Sequence, residues 1–551
     1  MSQRERDALI IGAGHNGLVA ACYLAQAGLD VAVLEANDWI GGCTSTAAHI
    51  AAAPNHMINP CAQDFCLLRM STVIDDLKLR EYGYREVLVD PAYVAPLPDG
   101  ETLAFWRDPV ITAQELARFD RRDARAYLRF AEMQEAALLA GIPFILNDPT
   151  RPPAEAIKAA IRSGVRHPRY MAEVAKMVMG SAAEAIDARF RHPLVRGGLL
   201  SLAAVGAPVT HKGSGVNALF PSLVRHAGVA RPIGGAQILP DALHACLTAH
   251  GGEVLREREV TAITVTGRRA SGVQTSAGET FNARVVISAM DPRKTLAELL
   301  PAGQLPDRIA SRVAEIPSEN GGAAYLTTHL AYSGRLDYGR LQRKRHDDID
   351  LRNTALLCGS FEEMVDAVEA ATSGRLPDPM PFAAVLPTGP DPSQAPEGQD
   401  TLYLWAGWAP RNPPDGWGAL TKQAGQVMVD QAARYIDGIH ELEIGRFVEP
   451  WPVLEQRTRV PNGNPYYVDL LLARNGPFRP AFGLGGYTTP VEGLFLTGGG
   501  THPGPSVSGI PGQLTARKVL SSKPELGARS PVLRARRADA AVDEQPTIAA
   551  V

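Results

Sequence analysis

The sequence predicts an α/β protein that opens with a dinucleotide-binding βαβ unit and returns, near its other end, to close over the same unit. Three observations carry this reading. A short apolar run, residues 8–11, enters the turn Gly12-Ala13-Gly14-His15-Asn16-Gly17, and an alanine-rich helical stretch follows as far as Gly28. A second apolar run, residues 31–34, ends on the acid Glu35. Far downstream, the strand-like residues 493–497 lead into Gly498-Gly499-Gly500 and a helix expected to start near 509–513.

In the first turn, Gly12 permits the tight bend, Gly14 lets a pyrophosphate approach the backbone, and Gly17 lets helix and strand pack closely. The helix N-terminus then presents N–H groups to phosphate oxygens, with His15 and Asn16 shaping the turn. Glu35 stands where a carboxylate accepts hydrogen bonds from ribose hydroxyls, with Ala36 beside it, which disfavours a 2′-phosphate. Strand, glycine turn, helix and acid-tipped strand within about 30 residues form a Rossmann-type unit.

A chain of 551 residues exceeds one ordinary core, and about three compact units are expected. Hydrophobic residues at 45% and charged residues at 21% argue against wholesale disorder. The net charge of -4 provides no global basic field, so nucleic acid is set aside. Six scattered cysteines, without a zinc-like CxxC pair, suggest a reducing compartment and no metal. The N-terminus reads as a first strand and not as a signal peptide, and no apolar stretch approaches the roughly 18 residues of a spanning helix. A cytoplasmic protein is expected, possible peripheral membrane contact included.

The texture changes between 91 and 225 to charged helical segments broken by Pro143, Pro149, Pro152, Pro153, Pro168, Pro193 and Pro208. Strand-like runs resume at 253–255, 260–266, 272–275 and 285–288. A Pro-rich stretch, 376–399, reads as a surface excursion or linker. The division this suggests is a discontinuous nucleotide domain (1–90, 226–295 and 481–522), an interleaved α+β substrate domain with a helical insertion (91–225 and 296–480), and a disordered tail (523–551).

A second glycine pair, Gly41-Gly42, follows the ribose acid and precedes Cys43-Thr44-Ser45-Thr46. With GAGHNGLVAA, the blocks 75–79 and Pro98-Asp99-Gly100, Arg231-Pro232-Ile233-Gly234-Gly235, and the C-terminal THPG followed by IPG, the chain resembles the flavoprotein family of amine oxidases and phytoene desaturases. It is most similar there to the phytoene desaturase-like branch, which includes carotene ketolases of the desaturase type and the pyridine nucleotide-disulfide oxidoreductase domain-containing proteins. The resemblance implies a glutathione reductase-like FAD fold, with FAD as cofactor. It implies FAD contacts at Gly41, Gly42, Thr44, Val260, Gly499, Gly500, Gly512 and Gln513. In that family an Arg often follows the glycine pair, and here Cys43 stands in its place.

The expected activity is FAD-dependent dehydrogenation of an organic substrate, with an apolar, unsaturated, carotenoid-like or lipid molecule as the leading class. Oxygen or a quinone is the simplest electron acceptor. An amine or small-molecule oxidase, a redox-neutral flavin isomerase and a non-catalytic FAD-stabilised protein are the alternatives. His502 is the leading polar candidate for a catalytic group, against a plain hydrogen bond within its own loop. His56, Asn59, Gln63 and Asp64 either face a substrate channel or belong to a solvated loop. Cys61-x4-Cys66 matches a dithiol spacing, but it lies well past the glycine pair and no second nucleotide turn accompanies it. Both cysteines read more simply as small apolar residues. Residues 154–191 mix Lys158, Arg162, Arg166, Arg169 and Lys176 with apolar residues, a pattern shared by lipid-facing helices and ordinary packed ones.

Overall fold

The computed structural model describes residues 5–97 and 99–522. The expected disordered tail and Pro98 lie outside the described residues. The strands in chain order begin with β1 (Arg6–Ile11), β2 (Val31–Leu34), β3 (Glu86–Val89), β4 (Tyr93–Pro96) and β5 (Thr102–Phe105). After a long helical stretch come β6 (Val229–Pro232), β7 (Glu253–Leu255), β8 (Val260–Thr266), β9 (Arg269–Thr275) and β10 (Thr280–Ser288). The rest are β11 (Ala323–Tyr332), β12 (Ala355–Cys358), β13 (Phe382–Val385), β14 (Asp400–Pro410), β15 (Glu443–Pro450) and β16 (Leu494–Leu496).

The first sheet has the order β7-β2-β1-β10-β9-β8, with β16 also paired to β10. β1 lies parallel to both neighbours, Ile10 opposite Val33 on one side and Ile287 on the other. Its residues alternate between two cores, as a parallel sheet covered on both faces requires. Ala8 and Ile10 pack with the helices His15–Gln26, Ile238–Ala249 and Ile510–Ser522. Leu9 and Ile11 pack with Leu299, Ile309 and Leu484 on the far side. Each such Leu or Ile contributes roughly 1.5–3 kcal/mol by leaving water. β16 comes from the end of the described chain and joins Phe495 to Ile287, so this sheet is completed by the last strand.

The second sheet runs β15-β11-β14-β13-β12-β4-β5 and is antiparallel except between β12 and β4. One face, with Leu326, Leu330, Leu402 and Leu404, buries against the helix Gly416–Ala432 through Ala424 and Met428. The other face turns toward the helical layer and the nucleotide unit.

The Pro-rich stretch is not a surface excursion. It contains β13, which pairs Ala384 with Leu356 and Leu404 near the middle of the second sheet. The ladder needs only Phe382–Val385, and Pro379, Pro381 and Pro387 flank it where no ladder donor is required. Residues 91–225 also begin with the β4–β5 hairpin before turning helical. Pro143 lies inside the helix Arg121–Ile145, which ends two residues beyond it. Pro168 and Pro193 occupy first helical positions, where a missing N–H costs nothing.

Candidate active site

The glycine turn and the second glycine pair meet backbone to backbone. Gly41 N–H donates to the Ala13 carbonyl at 2.9 Å, and a Cβ on Gly42 would have only the Gly14 Cα, at 3.6 Å, within contact range. A Cβ on Gly14 would meet nothing within 4 Å, whereas one on Gly17 would lie 2.2 Å from the Gly12 carbonyl oxygen. Gly17 is therefore required by the protein's own packing. Gly14 is not, and its lack of a side chain leaves the backbone open to an outside group.

Glu35 is buried at the tip of β2, its Oε2 accepting from Ala13 N–H at 2.8 Å and its Oε1 from Asn37 N–H at 3.0 Å. Burial pushes its carboxyl up, and the N–H groups of Asn37, Ala13 and Ala36 oppose that rise. His15 shares a hydrogen bond with Thr44 Oγ1 at 2.9 Å, and burial pulls its imidazole down to about 4. Its Nε2 and the Asn16 Oδ1 are buried without a protein partner. A neutral imidazole, an unpartnered amide oxygen, a helix N-terminus and a ribose-type carboxylate fit a dinucleotide with polar edges to satisfy.

The C-terminal motif reaches the same place. Gly512 sits against the first helix so closely that a Cβ would lie 2.3 Å from the Asn16 carbonyl oxygen. Gly499 faces the Tyr467 ring, and Gly500 faces the Pro292 ring. Gln513 instead turns away, donating to Tyr23 Oη at 2.7 Å, Thr72 Oγ1 at 2.8 Å and Asp76 Oδ2 at 3.0 Å. Val260 is buried at the start of β8.

His502 is buried, its Nε2 bonded to the Phe144 carbonyl at 2.9 Å and its own carbonyl accepting from Tyr487 Oη at 3.1 Å. Burial pulls it down to about 4, so it is neutral near pH 7. Its partner is the end of the Arg121–Ile145 helix and not its own loop.

The loop residues after the second glycine pair are cross-links. Asn59 bridges Thr46, Gln63, Gln394 and the Ala236 N–H. Asp64 accepts from Tyr93 Oη at 2.9 Å and pairs with Arg231 at 3.1 Å. His56 bonds the Tyr332 carbonyl at 3.2 Å. Cys66 is buried, whereas Cys61 is half-buried and its interaction is with Cys43. That contact, together with nearby Arg457, holds the Cys43 thiol below its usual value.

Two features escaped the sequence reading. Arg479, fully buried, donates to the carbonyls of Gly499 at 2.7 Å, Tyr466 at 2.7 Å and Val468 at 3.1 Å, fastening the glycine loop to the 466–468 segment. With no carboxylate in contact, burial lowers even this guanidinium to about 9. The second is an aromatic face. Tyr325 and His329 on β11, Tyr403 and Trp405 on β14 and Phe447 on β15 share one side of the second sheet by period-two alternation. Tyr325 lies 5.7 Å from Trp405 and 5.3 Å from Tyr466, and His329 lies 5.1 Å from Tyr403 and 5.9 Å from Phe447, between ring centroids.

Tyr467, next in chain to Tyr466, reaches Gly499, which joins this face to the nucleotide cradle. Near His329, Arg457 and Glu449 form an ion pair at 2.6 Å, and near Tyr325 the Asp469 carboxylate is held by the Asn320 and Gly321 N–H groups and the Asn464 amide. Burial and the positive charge of Arg457 pull His329 down to about 3. The side chains of the face itself are therefore aromatic and uncharged near neutral pH. Among the described residues no cluster of three His, Cys, Asp or Glu could hold a metal. No helix there is long and apolar enough to cross a membrane.

Residues 10–76 match the NAD(P)-binding Rossmann-like domain, and residues 80–373 match the flavin containing amine oxidoreductase family. The chain is 27% identical to the pyridine nucleotide-disulfide oxidoreductase domain-containing protein 2 of Mus musculus, over 94% of this chain and 93% of that protein. It is 25% identical to the lycopene-forming phytoene desaturase of Pseudescherichia vulneris, over 94% and 98%. One of the limonene dehydrogenase subunits of Castellaniella defragrans is 23% identical over 94% of each. Among solved structures, cyclohexylamine oxidase of Brevibacterium oxydans shares the fold at a TM-score of 0.58 and 18% identity, covering 95% of this chain and all of that one. A family match across more than half of the chain, joined to a cradle whose open groups fit FAD, makes this protein a member of the flavin-containing amine oxidoreductases, an FAD-dependent oxidoreductase.

Proposed function

We propose that the chain dehydrogenates an apolar, unsaturated organic molecule, of carotenoid or related lipid type, held between the flavin and the aromatic face of the second sheet. The observation that carries this reading is the face itself: five packed rings that carry no charge of their own, their histidine neutral. An uncharged, π-rich wall favours flat apolar substrates and offers no fixed charge to recognise a carboxylate, phosphate or ammonium group. The phytoene desaturases and the limonene dehydrogenase among the relatives point the same way.

FAD supplies the two-electron acceptor when bound. The chain's own part is positional. Gly14, Gly42 and the helix starting at His15 would hold the pyrophosphate, Glu35 would hold the ribose, and the N-terminus of Ile510–Ser522 would offer its positive end to the flavin. Tyr325, Tyr403, Trp405 and Phe447 would exclude water and orient the C–H bond. Burial holds His329 and His502 down to about 3 and 4, too weakly basic to keep an abstracted proton near pH 7, and His502 is occupied by the Phe144 carbonyl, so no protein base is assigned. Oxygen or a quinone would reoxidise the flavin.

A second reading, oxidation of an uncharged amine, is favoured by the fold shared with cyclohexylamine oxidase. Anaerobic titration of the purified protein with polyenes, amines and alcohols separates the two. Bleaching of the flavin bands by polyenes alone is expected. Bleaching by amines alone would replace the apolar reading, and a flavin that no donor bleaches would leave a redox-neutral isomerase.

A further inference from the structure

The helix Ala154–Arg166 wears its apolar side outward. Ile157, Ile161 and Val165 recur at i, i+4 and i+8 and are 47%, 60% and 77% exposed. Lys158, Arg162 and Arg166 recur beside them at the same spacing, all exposed. The inner side is small and polar: Ala156 is buried, and Ser163 Oγ donates to the Ala136 carbonyl at 3.1 Å. An amphipathic helix against a core shows the opposite arrangement. Leu139 and Met179, on the flanking helices, are also more than half exposed.

The charge around this stripe is one-sided. Between 151 and 179 stand six Lys or Arg and two Glu, in a chain whose net charge is -4. Glu155 is engaged by Lys158 at 2.7 Å, Glu173 by Arg189 at 3.6 Å, and Glu132 on the neighbouring helix by Tyr170 Oη at 2.8 Å. Arg151, Arg162, Arg166, Arg169 and Lys176 close no salt bridge among the described residues.

We propose that this face docks the enzyme on an anionic lipid bilayer, with Ile157, Ile161 and Val165 entering the acyl boundary and the basic rows lying among the headgroups. Apolar stripe and flanking cations are what an interfacial helix needs, and each cation near an anionic surface adds to the attraction. A second copy fits poorly, because a two-fold contact would set these uncompensated cations against one another. The docked helix is joined by residues 146–153 to Phe144, whose carbonyl holds His502 of the glycine-loop motif. Extraction of an apolar substrate from that bilayer rests on the function proposed above; the docking does not.

The test is flotation of the FAD-loaded protein with vesicles of phosphatidylcholine alone and of phosphatidylcholine with phosphatidylglycerol, without substrate. Co-flotation with the anionic vesicles is expected, about tenfold weaker without phosphatidylglycerol and weakened by salt. The double variant Ile161→Glu, Val165→Glu should lose it while keeping the flavin spectrum. Should that variant misfold, Arg162→Gln and Arg166→Gln serve instead, each weakening partition about fivefold. Wild-type protein that stays below the anionic vesicles overturns the proposal, as do well-folded variants that float like their parent. A dimer dissolved by the double variant, with no vesicle binding, assigns the face to a second copy. Since no substrate is present, failure here leaves the proposed chemistry standing, and a failed flavin titration leaves the docking standing.

Discussion

Gly14 and Gly17 lie three residues apart and carry opposite burdens. A methyl at Gly17 collides with the Gly12 carbonyl at 2.2 Å, so Gly17→Ala should lower the Tm of the apoprotein and abolish flavin retention together. A methyl at Gly14 meets no protein atom within 4 Å, and its φ of -64° suits alanine. Gly14→Ala should therefore keep the apoprotein Tm and lose flavin, as read by differential scanning calorimetry beside the absorption ratio of flavin to protein. Glu35→Ala should raise the FAD dissociation constant by about 10- to 100-fold, the effect of losing hydrogen bonds to a charged acceptor, measured by equilibrium dialysis. These residues are legible in the sequence because a phosphate and a ribose impose local spacing on the chain. Arg479 is not, since its partners at 466, 468 and 499 become neighbours only in three dimensions. Arg479→Leu strips several buried carbonyls of their donor and should cost about 2–4 kcal/mol in urea unfolding.

At the scale of elements, strands bounded by glycine are legible and strands bounded by proline are not. Gly12 and Gly28 frame the first helical crossover, and the runs 253–255 and 260–266 coincide with β7 and β8. β13 hides because its four residues sit among prolines that signal loop, while the second sheet demands only four ladder positions from that stretch. The aromatic face is hidden differently. The alternation of Tyr325 and His329 is visible along β11, but the grouping of these rings with those of β14 and β15 depends on pairing with strands many residues away. The face makes a direct prediction. Trp405→Ala should raise the KM for an apolar donor about 10- to 100-fold, the range for losing one large buried apolar contact, with flavin content unchanged. An equal loss of flavin would mean that Trp405 supports the cradle instead of the substrate.

The whole molecule carries a pH signature. His15 and His502 are held down to about 4 and His329 to about 3, against about 6.5 for a free histidine. A group whose folded value is depressed binds protons in the unfolded chain first. Its neutral form thus supports the fold fully above about pH 6.5, and this support is lost as pH falls toward 4. The Tm should fall steadily between pH 6.5 and 4, and His502→Asn should flatten part of that slope; a Tm level across the window would remove these three residues from the account. The α/β class and the flavin cofactor were legible at this scale, because both ends of the chain carry glycine motifs with one common use. The side-by-side placement of the two sheets was not, since it rests on long-range contacts without sequence spacing.

β1 gains β2 within its own βαβ unit, but its other flank waits for β10, about half the chain later, and β10 in turn waits for β16. On a ribosome adding roughly 5–20 residues per second, tens of seconds separate the emergence of Glu35 from that of Gly512. For the first half of that interval β1 lacks the flank that β10 later covers, and for the second half β10 lacks β16, so a half-made chain exposes apolar strand edges of the kind chaperones recognise. A nascent chain halted before β16 should retain no flavin, and one extended past the helix Ile510–Ser522 should retain it, as read by flavin fluorescence of stalled chains.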